Sequence, residues 1–192
     1  RDVAPSRGLG DVYKRQKPDS LLKNWNPAFS DTNPEGYVDT AKFTYKYKDS
    51  KYPVIDMDSI DKYINVAYQN GMKMRFHVFV WHKQTPQWFF KENFSKNGAY
   101  VSKEVMDGRL EYLVRNVMTH IYSYKNSDGV YVGREVIDNW DMANEYTHNN
   151  DGGEKSYWDE VYYPDYEYSE KKHSGIYTPA VSYTHLTLPT IA

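Results

Sequence analysis

Apolar residues recur every three or four positions in two segments of the chain, which is the spacing of an amphipathic helix. The first segment covers residues 57–71, and its predicted buried face consists of Ile60, Ile64 and Ala67. The second covers residues 101–125, where Ser102 is suited to cap the first turn. Its predicted buried face consists of Met106, Leu110, Leu113, Val117 and Ile121. The pattern therefore predicts two helices, the second longer than the first.

Two other segments are rich in β-branched and aromatic residues. KMRFHVFVW, residues 73–81, is apolar on both faces, as is typical of a buried strand in a parallel sheet. EVIDNWDMAN, residues 135–144, is predicted to form the next strand. Because helices alternate with these strands, the pattern indicates an α/β fold with a parallel sheet. We also expect a short helix starting at Pro18, a long loop over residues 30–53 and mostly loop over residues 146–180.

The two ends of the chain differ in composition from the segment between them. Residues 1–16 show no helix or strand period, and residues 181–192 form a Thr-rich tail. Both resemble translated sequencing-adapter read-through, so we expect them to be artefactual extensions. The remaining residues, 17–180, are expected to form one unit.

Composition narrows the class of protein. The chain has 192 residues, a net charge of -2 and no cysteine. It has no basic run that would favour nucleic acid and no apolar run of the roughly 18 residues needed to cross a membrane. Aromatic residues make up 17% of the chain, with 20 Tyr and 5 Trp. Because such rings pair an apolar face with a polar tip, they suit sugar rings as well as protein cores.

Chemically versatile residues follow both predicted strands. Trp81, His82 and Gln84 come at the end of the first strand, and Asn144 and Glu145 end the second. Since active groups of parallel sheets sit at the carboxyl ends of the strands, we expect one shared site there. A glutamic acid that donates protons near neutral pH needs a raised pKa, which burial in an aromatic cleft provides.

A metal site is not expected. His77 and His82 lie five residues apart, and the sequence places no third ligand beside them.

Four stretches together resemble the glycoside hydrolase family 10 endo-β-1,4-xylanases. They are KPDSLL (17–22), GMKMRFHVFVWHKQTPQWFF (71–90), VSKEVMDGRLEYLVRNVMTHIYSY (101–124) and WDMANE (140–145). The resemblance implies a partial TIM (β/α)8 barrel that covers roughly strands 3–4 and their helices. It also implies hydrolysis of internal bonds in xylan with retention of configuration, without a cofactor.

The resemblance assigns roles to individual residues. Glu145 would be the general acid/base, and Asn144 would hold the 2-hydroxyl of the sugar at the cleavage point. His82 would support the same strand end. The glycone side of the cleft would be lined by Lys17, His77, Trp81 and Gln84. The partner would be xylan or a xylo-oligosaccharide, and the family implies a secreted or cell-surface protein.

The chain also departs from the family pattern. A complete barrel has roughly 250 residues, more than this chain has. The resemblance implies that strands one, two and five to eight are missing, together with the catalytic nucleophile. Asp151, Glu154, Asp159 and Glu160 are expected in a polar loop and are not candidates for that role. We therefore expect little or no activity from this chain. Large apolar side chains such as Phe79 and Val80 are expected to lack partners, which would favour association or disorder.

Three alternatives stay open. Cellulases and mannanases with a (β/α)8 barrel also end a strand in Asn–Glu, although they generally lack the WH-x-Q-TP run of residues 81–86. A non-catalytic carbohydrate-binding module would explain the aromatics but not the two long helices. A purely structural α/β domain would leave the polar strand ends unexplained.

Overall fold

The computed structural model describes residues 16–145 and 155–165. Within this part of the chain, the helices α1 to α5 cover Pro18–Leu21, Asp58–Gln69, Lys103–Ser123, Gly133–Val136 and Tyr157–Tyr162. The strands β1 to β4 cover Phe29–Ser30, Tyr52–Pro53, Met74–Trp81 and Ile137–Asn144. Short 3₁₀ turns cover Thr40–Lys42, Gln87–Phe90 and Glu92–Phe94.

Both predicted amphipathic helices are confirmed as α2 and α3. The apolar faces predicted for them are buried. Ser102 caps α3, since its hydroxyl accepts a hydrogen bond from the Val105 backbone N–H at 3.4 Å. At the start of α2, the Asp56 carboxylate accepts bonds from the backbone and hydroxyl of Ser59. Gly71 follows α2 with φ +62°, a left-handed conformation that glycine adopts without strain.

The two predicted long strands, β3 and β4, pair in parallel as expected. His77 lies opposite Asp141, and Trp81 lies opposite Asn144. The register shifts between His77 and Val80, which adds a residue to β3 near its carboxyl end. The two strands nevertheless end side by side, so the residues that follow them emerge at one edge of the sheet.

The expectation that Phe79 and Val80 would lack partners is wrong. Both are fully buried. The Phe79 ring stacks against Phe76, with centroids 4.5 Å apart, and lies parallel to Trp140 at 6.1 Å. The two residues share one hydrophobic core with Leu21, Ile60 and Leu110. The reason is that the short helix α1 and the longer helices α2 and α3 supply apolar side chains around the strand pair.

The segment over residues 30–53 is mostly loop, as predicted, but it is anchored by polar side chains of α3. Glu111 is fully buried, and its carboxylate accepts hydrogen bonds from the backbone N–H groups of Thr44 and Tyr45 at 2.8 and 2.6 Å. Arg109 forms two hydrogen bonds with the Asp49 carboxylate. The short strands β1 and β2 pair antiparallel at the two ends of this segment. The loop is therefore part of the packed structure.

The expectation of loop after residue 146 needs a correction at α5. Ser156 and Asp159 form a capping box at its start, in which each side chain accepts from the backbone of the other residue. Asp159 is consequently buried and belongs to a helix rather than to a polar loop. Asp151 and Glu154 lie outside the described residues.

Candidate active site

The indole after β3 and the carboxylate after β4 meet directly. Trp81 donates a hydrogen bond from Nε1 to Glu145 Oε2 at 3.0 Å. The Glu145 backbone has φ +45°, in a left-handed region uncommon for residues other than glycine. Such conformations concentrate at functional sites, where the surrounding structure holds them in place. The Glu145 side chain is 47% exposed, so the burial expected from sequence is incomplete and the carboxyl group is accessible to a ligand.

Lys17, the residue just before α1, joins the same group of side chains. Its Nζ donates to Gln84 Oε1 at 2.6 Å and lies 4.0 Å from the centre of the Trp81 ring. The second contact is a cation–π interaction, which favours a charged amine over the face of the indole. Gln84 has φ +55° just after the exit of β3, a further left-handed residue at this edge.

His82 is buried next to Trp81 and Glu145. Its side chain is only 5% exposed, and Nδ1 lies 4.0 Å from Glu145 Oε2. The imidazole meets the Trp81 ring edge to face, with centroids 5.5 Å apart. The structure therefore gives His82 a buried position in contact with the two residues that meet at the strand ends.

His77 is held from two sides. Its Nδ1 lies 3.1 Å from Asp141 Oδ2 across the strand pair, and the other oxygen of Asp141 lies 3.5 Å from Arg75. The His77 backbone N–H donates to the side-chain oxygen of Gln16 at 2.8 Å. Gln16 is almost completely buried although sequence analysis assigned it to an extension. The His77 ring centroid lies 6.5 Å from that of Trp81.

The seven residues singled out from sequence thus occupy one region. Asn144 is half-buried opposite Trp81 at the end of β4, and the remaining five lie around Trp81, with Gln84 linked to it through Lys17. Their individual roles stay predictions. The arrangement can place a sugar ring between an indole, an amide and an ammonium group, next to an accessible carboxyl group that exchanges a proton.

Sequence analysis missed two residues that contact this group. Trp158 of α5 donates from Nε1 to the Trp81 backbone carbonyl at 2.9 Å. The S-x-x-D pattern of residues 156–159 could have revealed this helix. Asp19 is the second residue, and its backbone N–H donates to the Gln84 carbonyl at 2.9 Å. Burial raises the pKa of the Asp19 carboxyl to about 6, and the positive charge of Lys17 opposes this rise. No sequence signal identifies Asp19.

Metal sites and membrane-spanning helices are both absent from the part of the chain that the structure describes. The described residues contain no group of three or more His, Cys, Asp or Glu arranged to hold a metal ion. No helix among them is both long and apolar enough to cross a membrane.

Comparison with known proteins defines the class. The family model of glycosyl hydrolase family 10 matches residues 31–170. Endo-1,4-beta-xylanase A of Butyrivibrio fibrisolvens is 44% identical over 117 residues, which are 60% of this chain and 26% of the relative. A bifunctional endo-1,4-beta-xylanase of Ruminococcus flavefaciens is 35% identical over 170 residues, 84% of this chain and 17% of the relative.

A solved structure gives the same result. The intracellular xylanase of Thermoanaerobacterium saccharolyticum superposes with a TM-score of 0.53 at 26% identity, covering 90% of this chain and 40% of that protein.

The fold and the sequence match place the protein among the glycoside hydrolases. The chain belongs to glycosyl hydrolase family 10. It spans about a quarter or less of the length of the two curated relatives described above. The β3–β4 pair and its helices are accordingly part of a (β/α)8 barrel, which the described residues do not close.

Proposed function

We propose that the chain carries the acid/base half of the active site of a retaining endo-1,4-β-xylanase. The observation that carries the proposal is the contact between Trp81 and Glu145, which brings a sugar-sized aromatic platform and a carboxyl group together at adjacent strand ends. Glu145 would protonate the glycosidic oxygen as the bond breaks and then activate the water that completes hydrolysis.

The neighbouring side chains would bind the sugar on the glycone side. Asn144 would hold the 2-hydroxyl at the cleavage point, an interaction that strengthens in the transition state of glycosidases. Gln84 can both donate to and accept from sugar hydroxyls, and Lys17 is held beside it at 2.6 Å. His77, fixed by Asp141, would present its remaining ring nitrogen to the ligand. His82 would keep Trp81 and Glu145 in place.

The relatives support xylan as the substrate. The two curated relatives described above are named as endo-1,4-beta-xylanases, and a second structure of the Thermoanaerobacterium xylanase is a mutant in complex with xylotetraose. Since a polymer of this kind does not readily enter cells, we also propose that the parent protein acts outside the cell or at its surface.

Binding to this chain provides the test. Isothermal titration with xylotetraose should detect binding by the wild-type chain and by Glu145→Gln, because the amide preserves the shape of the side chain. Trp81→Ala should weaken binding by about tenfold or more, since it removes the aromatic platform. Met72→Ala serves as the control, since Met72 is an exposed apolar residue that takes no part in the proposed site.

Two results would contradict the proposal. One is equal affinity of the wild-type chain and Trp81→Ala for xylotetraose. The other is tighter binding of cellotetraose than of xylotetraose, which would favour a cellulase instead.

A further inference from the structure

Trp25 is far more exposed to solvent than the other tryptophans that the structure describes. It is 90% exposed, whereas Trp88 and Trp158 are each 1% exposed. A single exposed apolar side chain is ordinary on a protein surface and needs no functional explanation by itself. What sets Trp25 apart is its setting, because it forms one wall of a polar pocket.

This pocket, which we call the Trp25 pocket, has a volume of about 530 Å³. Besides the indole, it is lined by amide, hydroxyl and charged side chains. The lining residues that matter here are Asp19, Asn24, Gln84, Thr85, Gln87 and Lys96. Gln84 also belongs to the candidate active site, so the pocket adjoins that site. The volume is within the range of small-molecule sites.

Hydrogen bonds fix the backbone of the turn that contains Trp25. The Asn24 N–H donates to the Asp19 carbonyl at 2.9 Å, and the Asn26 N–H donates to the Lys23 carbonyl at 2.8 Å. The same turn is tied to the exit of β3 by the hydrogen bond from Asp19 N–H to the Gln84 carbonyl. The backbone that carries Trp25 is therefore fixed by hydrogen bonds on both sides, while the indole itself is exposed. A fixed backbone at this position lowers the entropic cost of binding a ligand.

The chemistry of the lining fits a neutral pyranose. An indole face packs on the apolar face of a sugar ring, while amides bond to the hydroxyls at its edge. Asn24 and Gln87 supply two amides besides Gln84. Lys96, whose Nζ lies 5.9 Å from the Trp25 ring centre, adds a donor beside the indole.

We propose that the Trp25 pocket is an additional subsite for a xylosyl unit at the far glycone end of the cleft. The inference rests on the proposed function, since it assumes that a xylo-oligosaccharide lies across Trp81 and Gln84. A chain that extends beyond Gln84 would enter the pocket and stack on Trp25. Long oligosaccharides should therefore gain an interaction that short ones cannot reach.

The test compares xylohexaose with xylotriose on the full 192-residue chain. Titration calorimetry should show that Trp25→Ala weakens xylohexaose binding by about tenfold and leaves xylotriose binding unchanged. Trp25→Tyr should retain most of the affinity, because it keeps an aromatic face. In NMR spectra, the Trp25 indole N–H signal should shift with xylohexaose and not with xylotriose. Because Trp25 is exposed, thermal melting of the variants should match the wild type.

The outcomes separate the two proposals. If Trp81→Ala weakens binding of both oligosaccharides while Trp25→Ala weakens neither, the additional subsite is wrong and the proposed function stands. An equal loss for both oligosaccharides in Trp25→Ala would also overturn the subsite, since it would place Trp25 within reach of the short ligand. Failure of the wild-type chain to bind either oligosaccharide overturns both proposals.

Discussion

Trp81 connects more parts of the candidate site than any single motif in the sequence suggested. Its indole N–H holds the Glu145 carboxylate, its ring lies beneath the Lys17 amine, and its carbonyl accepts the Trp158 indole N–H. The first two contacts restrict the conformation of the indole, and the third holds the backbone that carries it. The position of the carboxyl group in the site is therefore set by an aromatic residue on the neighbouring strand.

Asp19 gives a prediction at the same scale. Burial raises the pKa of its carboxyl from 3.8 to about 6 in the folded chain. The folded state then binds this proton more tightly than the unfolded state, so the stabilisation is complete below about pH 4 and is lost as pH rises through about 6. The amide of Asp19→Asn does not titrate. We expect the variant to gain stability relative to wild type between about pH 4 and 7.

Urea unfolding of both proteins across that pH range measures the difference in free energy of unfolding, and other titrating groups cancel in the subtraction. A difference that is constant with pH, or that falls as pH rises, would contradict the assignment of the raised pKa to Asp19.

At the scale of elements, α3 acts as the scaffold for both the loop and α5. Its buried carboxylate Glu111 fixes residues 44 and 45, and its Asp107 accepts a hydrogen bond from the Tyr162 hydroxyl of α5 at 2.7 Å. Through α5, the helix indirectly supports Trp158 and thereby the exit of β3. The two buried carboxylates of α3, Glu111 and Asp107, therefore each hold a neighbouring segment against the helix.

Gly108 shows how closely the loop approaches α3. In an exposed helix, alanine in place of glycine is favourable by roughly 1 kcal/mol. Here a Cβ at position 108 would lie 2.6 Å from the Lys46 carbonyl oxygen, and Glu111 holds the adjoining loop against the helix. We expect Gly108→Ala to lower the free energy of unfolding by about 1–3 kcal/mol, because the steric conflict outweighs helix propensity.

Chemical denaturation tests this against Ser123→Ala, an exposed change in the same helix that should stay within about 0.5 kcal/mol of wild type. Stabilisation by Gly108→Ala would show that the loop can move away from the helix.

At the scale of the whole molecule, the parallel pair β3–β4 is a part of a barrel whose other strands are not among the described residues. A retaining glycosidase needs two carboxyl groups about 5–5.5 Å apart. The family resemblance places the second carboxylate on a later strand than those matched here. Under the proposed function, the site described above would supply the acid/base and the glycone contacts, and it would need a nucleophile from another segment.

Catalysis by the isolated chain should accordingly be very weak. We expect release of reducing sugar from xylan by the wild-type chain to be indistinguishable from that by Glu145→Gln, even where both bind xylotetraose. Clear turnover by the wild-type chain that disappears in Glu145→Gln would reveal a second carboxylate within these 192 residues.

The sequence by itself determined the two amphipathic helices, the parallel strands and the residues at their ends, because periodicity and strand polarity depend on neighbours along the chain. It did not show that Phe79 would find partners, that Glu111 would hold a loop 66 residues away, or that Trp158 would bond to Trp81. Those facts depend on which distant surfaces come together. Only the tertiary structure decided them, since a buried polar group or aromatic ring takes its partner from whichever segment packs against it.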